Sequence, residues 1–357
     1  TACAEVAERF TGHVYKVRTQ EENHQLLWSS HDGAVKRVLA TTDTANGWIS
    51  QYSLSPDMSQ LAFLMYHDTG GTKELYVKNL LTDGPLVNVS GEIVSGGDVT
   101  SFDWSFDGTR LAMIGDIENN DRNELFTVAA DGSNRLKVSP ELELDRDVYS
   151  FQWSPTELTL AYLADINDDD HIELFVVNND GSGQDMLSPV SGVDRNVSTF
   201  TWSPDGNSLA FNGDFDTLDQ VYNLYTVNIA DAGLNQISQS LTLEGGVSNF
   251  EWAPNSSALA YRANMSNVSQ MQLFRADRTG ENWSELTGPL VAGGNLISYQ
   301  WSPTSGHVAF LADATVNDKI ELYTVNADGS DRVSMSDSLV GGGVDYFRWH
   351  GDGVHIT

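Results

Sequence analysis

Cysteine is nearly absent: Cys3 is the one thiol in 357 residues, so no internal disulfide braces the fold. No apolar run reaches the ~18 residues of a membrane-spanning helix, which excludes a transmembrane segment. Positive charge is scarce too. Nineteen Lys and Arg stand against 50 Asp and Glu, a net charge of −31. Such a surface repels phosphate backbones and anionic lipid, so binding to nucleic acid or membrane through a basic patch is excluded. It suits a cationic protein or peptide partner, or a salty or calcium-rich setting. No helical periodicity appears, and no G-x-S-x-G nucleophile elbow.

What is present is a repeat. "FDWSFDGTRLAMIGD", "FQWSPTELTLAYLAD", "FTWSPDGNSLAFNGD", "FEWAPNSSALAYRAN" and "YQWSPTSGHVAFLAD" are copies of one unit, carrying Trp104, Trp153, Trp202, Trp252 and Trp301. An earlier copy, "SQYSLSPDMSQLAFLMY", is aligned with Tyr52 in the tryptophan's place, and a last partial copy carries Trp349. Each unit reads as four short strands. The first ends at the tryptophan, and a turn such as "SPDG" leads to the second, where Pro presets φ and Gly accepts a positive one. A variable loop precedes an alternating third strand such as "NLYTV", and an "ADGS" turn leads to the fourth.

Four strands per unit without helices predict an all-β fold, a seven-bladed β-propeller of four-stranded blades. Complete blades begin near residues 50, 102, 151, 200, 250 and 299. Residues 12–40 read as strands two to four of a further blade, and 344–357 supply its first strand, closing the ring by pairing the two termini. The carboxyl-terminal copy also runs into a second strand, "VHIT", which leaves open an eighth blade or a longer protein. The domain reading is one propeller over 12–357 after an amino-terminal segment, 1–11, as a tether. "TAC" at residues 1–3 resembles the end of a bacterial lipobox, which would make Cys3 a lipidation site; the alternative is a free terminal cysteine.

"WSPDGNSLAF" followed by "LYTVNADGS" resembles the repeat of TolB-type propellers, a WD-like group of bacterial periplasmic proteins. The resemblance spans about residues 12–350. It departs from TolB in lacking an amino-terminal α/β domain and in counting seven blades rather than six. It implies a secreted bacterial protein, periplasmic, cell-surface or extracellular, with a protein-binding role.

The loops between second and third strands are acidic. Two place oxygen-bearing side chains at positions 1, 3, 5 and 9: Asp116, Glu118, Asn120 and Glu124, then Asp165, Asn167, Asp169 and Glu173. Calcium takes six to eight oxygens, and alternate carboxylates in a tight loop can wrap one ion. The pattern is similar to the calcium loops of integrin-type propellers. It departs at position 6, where Asp121 and Asp170 replace the turn-forming Gly. The loop with Asp313, Asn317 and Glu321 is a poorer copy. The alternative is solvated acidic hairpins whose Asp and Asn residues cap turns. Beside them, "SPELELDRDV" (139–148) adds further acid, a surface for a cationic protein or peptide.

The expected function is a binding scaffold with calcium in some loops. The alternative is a carbohydrate-active propeller enzyme of the polysaccharide-lyase kind, for which a histidine cluster would speak. The eight histidines are mostly one to a blade, and His350 and His355 straddle a turn. Trp48 and Trp283 break the repeat and are candidates for exposed contacts.

Overall fold

The computed structural model describes residues 12–19, 23–42, 47–66, 71–82, 84–167, 171–189, 196–215, 221–239, 246–264, 270–336 and 343–357. They form six four-stranded antiparallel sheets and one three-stranded sheet, each a simple meander. This is the all-β, seven-bladed propeller class. The chain divides into two compact units, 1–186 and 187–357.

The second and third strands of each sheet are its buried centre. Arg110–Gly115 and Glu124–Ala129 are almost wholly enclosed, as are Thr159–Ala164 and Glu173–Asn178. Strands covered on both faces read as continuous apolar runs, "LAMI" and "LAYLA", rather than as alternation. Within each unit the core lies between neighbouring sheets. Leu64, Leu75 and Val77 of one pack with Phe102, Trp104 and Met113 of the next.

The repeat tryptophans join sheets. The Trp104 indole N–H donates to the Ser53 carbonyl at 3.2 Å, and Trp153 does the same to Asp103. In the second unit Trp252 reaches Thr201, Trp301 reaches Glu251, and Trp349 reaches Gln300. Each indole thus satisfies its buried N–H on the preceding first strand.

One expectation changes. Tyr52 pairs with Phe63, whereas Leu54 pairs with Leu61 as Trp104 pairs with Leu111, so Leu54 takes the tryptophan's place. The turn serines Ser55 and Ser105 make the same closing bonds and set this register. At the carboxyl end Trp349 bridges Ile356, the offset of Trp301 with Val308. That first strand therefore opens a hairpin with its own residues. The 12–41 sheet has three strands, Gly12–Arg18, His24–Ser30 and Lys36–Thr41. No ladder from it to 344–357 is among the described pairings.

Candidate functional site

The first aspartate of each acidic loop caps the connection entering its own sheet. Asp116 Oδ1 accepts the Asp98 N–H at 2.6 Å, and Oδ2 accepts the Asp121 N–H at 3.3 Å. Asp165 accepts the Asp147 N–H at 2.7 Å and the Tyr149 hydroxyl at 2.9 Å. Asp214 accepts from Asn196, and Asp313 from the backbones of Asn295 and Asp318. The capped residue in turn reaches back one sheet. Asp98 Oδ1 accepts the Lys73 N–H at 2.5 Å, Asp147 that of Asn123 at 2.6 Å, and the Asn295 side chain that of Met271 at 3.0 Å. Carboxylates that accept buried N–H groups satisfy donors the turn would otherwise orphan. The close approach needs glycine: a Cβ on Gly97 would lie 2.1 Å from the Asp116 carbonyl, and one on Gly294 2.3 Å from that of Asp313.

The ninth position is buried. Glu124 is fully enclosed, and Glu173 and Glu321 nearly so. In the 116–124 loop the charge is met by a lysine from the fourth strand. Lys137 Nζ lies 3.0 Å from Glu124, 3.5 Å from Glu118 and 2.6 Å from Glu141. Burial works against its charge, but hydrogen bonds to Glu141 and Glu124 outweigh this and hold its pKa above the ordinary lysine value. Asn119 also donates to Glu124, and Asn120 donates to Asp121. Glu321 is engaged by Lys319 at 2.7 Å, Thr315 and Tyr323, which depress its pKa. Asn317 donates to Asp318.

The 165–173 loop is different. Asn167 donates to Glu173 Oε2 at 2.7 Å. Met186 pairs with Phe175 as Lys137 pairs with Phe126, so a thioether stands where the other loop has its ammonium. Asp169, with Asp168 and Asp170, lies outside the described residues, as does Cys3. Among the described residues no group of three or more His, Cys, Asp or Glu is placed to hold a metal ion. Sequence reading missed Lys137 because it lies 13 residues beyond Glu124 on a different strand.

Next to these loops Leu144 is 69% exposed and Tyr149 47%. They stand among Glu141, Glu143 and Asp145, all solvent-facing. Trp48 is exposed, with Lys16 Nζ 5.5 Å from its ring. Trp283 is only partly so, being stacked on Phe274 and bonded to the Tyr261 hydroxyl at 2.7 Å. His350 and His355 converge: Asp352 Oδ2 lies 3.2 Å and 2.7 Å from their Nδ1 atoms. The hydrogen bonds from the Val354 backbone and from His355 drive the Asp352 pKa far down. No helix among the described residues is long and apolar enough to cross a membrane.

No family model matches the chain, and no curated protein does. Solved structures do. Dipeptidyl peptidase 4 from Porphyromonas gingivalis superposes with a TM-score of 0.67 at 12% identity, over 97% of this chain and 54% of that one. This chain therefore spans about half the length of that peptidase. An oligogalacturonate lyase from Vibrio parahaemolyticus gives 0.49 at 13% identity, over 96% and 88%. TolB from Acinetobacter baumannii gives 0.36 at 14%, over 92% and 64%. At such identities the likeness to the peptidase is one of fold, and the fold it supports is the β-propeller.

Proposed function

We propose that this protein is an extracytoplasmic bacterial binding scaffold whose partner is a cationic protein or peptide. The observation that carries the reading is the surface around Leu144 and Tyr149. Two exposed apolar side chains lie among Glu141, Glu143 and Asp145, beside loops that the aspartate caps hold in place. Glu141 is paired with Lys137 and Glu143 with Arg146, but acids outnumber bases around these anchors, and an apolar surface with an acidic surplus suits a partner of the opposite sign. The TolB-type repeat motifs are consistent with this role and with a periplasmic or cell-surface location, where Cys3 would serve as the lipid anchor.

Calcium belongs to the same reading, and the loops differ in how well they suit it. At Asp116, Glu118, Asn120 and Glu124 the oxygens already serve backbone N–H groups and Lys137, so this set does not fit an ion. Asp313, Asn317 and Glu321 are likewise committed to backbone and Lys319. In the remaining set, Asp165, Asn167, Asp169 and Glu173, Asp165 likewise accepts the Asp147 N–H and the Tyr149 hydroxyl, and Asn167 donates to Glu173. Met186 stands in the lysine's place, and on the spacing of its oxygens we assign calcium to this set. Calcium would offset two of the loop's negative charges.

The test is binding to an immobilised lysine-rich peptide, with polyglutamate as control. Binding should weaken steeply with salt and fall at least tenfold in the double variant Glu141→Lys, Glu143→Lys. Equal binding by the variant would overturn the reading. The carbohydrate-active alternative finds its one support in the convergence of His350, Asp352 and His355. A polyuronate substrate would meet the −31 charge as repulsion. Cleavage of a neutral or acidic polysaccharide that is lost in His355→Ala would favour that alternative instead.

A further inference from the structure

The residue before the repeat tryptophan occupies the same place on each first strand. In the 187–357 unit these residues are Thr201, Glu251, Gln300 and Arg348. Glu251 is the one acid among them. Its backbone is fixed by pairing with Ala260 and by the Trp301 indole on its carbonyl. Its side chain borders two cavities. One, of about 340 Å³, lies between the first strands Val197–Trp202 and Gly246–Trp252. The other, of about 410 Å³, is lined by Glu251, Tyr299, Gln300, Asp345, Tyr346 and Phe347.

Burial pushes the Glu251 carboxyl up to about 7, against a hydrogen bond from the Trp301 backbone. No cationic side chain among the described residues forms an ion pair with it. Besides Glu251, the charged and titratable groups lining the cavity are Tyr299, Asp345 and Tyr346, with Arg262 acting on the Tyr299 hydroxyl. Tyr299 donates to Asn249 at 2.7 Å, and burial together with the nearby Glu251 charge pushes its pKa up. A partly desolvated carboxylate without a counter-cation is costly, and a ligand that brings the cation removes the cost. Tyr346, 81% exposed, and Phe347 present aromatic rings beside it, and an ammonium is attracted to such faces. The depression is open to solvent on the Tyr346 side, and its volume is enough for a small ligand.

We propose that the cavity between Glu251 and Tyr346 binds an organic ammonium with an apolar stem, its charge on the Glu251 carboxylate and its stem against the aromatic wall. The site lies in the 187–357 unit, so it stands or falls independently of the acidic surface at 139–173.

The test is calorimetric or NMR titration of the whole chain with benzylammonium, and with benzyl alcohol as the neutral isostere. Benzylammonium should bind at least tenfold more tightly than the alcohol, and more tightly at pH 8 than at pH 6, because ionised Glu251 is the receptor. Glu251→Gln should lose the tenfold and the pH dependence together. Tyr346→Ala, at an exposed side chain with little bearing on folding, should weaken binding severalfold. An N-acetyl-lysine methylamide arm tells the source: tighter binding than benzylammonium would place the ammonium on a peptide, weaker binding on a free amine. Equal affinity of wild type and Glu251→Gln, equal affinity for alcohol and amine, or no binding at millimolar benzylammonium would each overturn the proposal.

Discussion

At the residue scale, aspartate does two jobs in this chain, and position decides which. Exposed turn aspartates such as Asp131 and Asp328 accept from a serine two residues on, and those bonds keep their pKa low. The buried ones, Asp165 and Asp313, hold a connection in place. Removing a buried acceptor of two donors costs about 2–3 kcal/mol. Asp165→Ala should therefore lower stability by about that much in urea with calcium absent; a variant as stable as wild type in EDTA would show that the cap is dispensable. Glu251 makes a prediction of opposite sign. Its folded pKa, raised to about 7, means that the native state binds the extra proton between about pH 4.5 and 7. Stability from this group is thus full below the unfolded value and is lost as pH rises through 7. Glu251→Gln should gain on wild type by a few degrees in midpoint at pH 8 relative to pH 5; a pH-independent difference would refute the burial. Neither role was legible in the sequence, where Glu251 reads as one more polar residue before a tryptophan.

At the scale of the element, the blade hairpin is a unit whose charge is balanced inside one sheet or left over. Lys137 reaches Glu118, Glu124 and Glu141; in the neighbouring loop Met186 stands at the lysine's position. Thermal unfolding in EDTA, then in millimolar calcium, with magnesium as control, should show a calcium-specific rise of about 2.7 kcal/mol at a hundredfold excess over Kd. Met186→Lys should abolish it by placing an ammonium at the site. A rise that survives Met186→Lys, or that magnesium matches, would remove calcium from that loop. The tryptophan is the other element-level device. Trp301→Phe keeps the ring but loses the bond to Glu251 and should cost about 1–2 kcal/mol, measured by equilibrium denaturation. Strand order and turn positions were readable because alternation and turn chemistry are local. Tyr52 matches the tryptophan only in aromatic character, whereas the turn serine sets the register and puts Leu54 in its place.

At the scale of the molecule, the −31 charge acts on everything at once. Self-repulsion of that size is screened over about 10 Å at 0.1 M salt. Raising NaCl from about 20 to 300 mM should lift the thermal midpoint by several degrees; a fall would mean that ion pairs such as those of Lys137 outweigh the repulsion. The sequence by itself determined the class of fold, the spacing of the repeats and the sign of the surface. Those follow from periodicity, turn residues and composition, which are properties of short stretches or of sums. Only the tertiary structure decided what each carboxylate does. Asp116 meets Asp98 across 18 residues, Lys137 meets Glu124 across 13, and Glu251 meets a cavity lined by Tyr346. Whether an acid caps, pairs or waits for a ligand depends on neighbours that folding brings together from distant stretches, and on how much water folding removes around them.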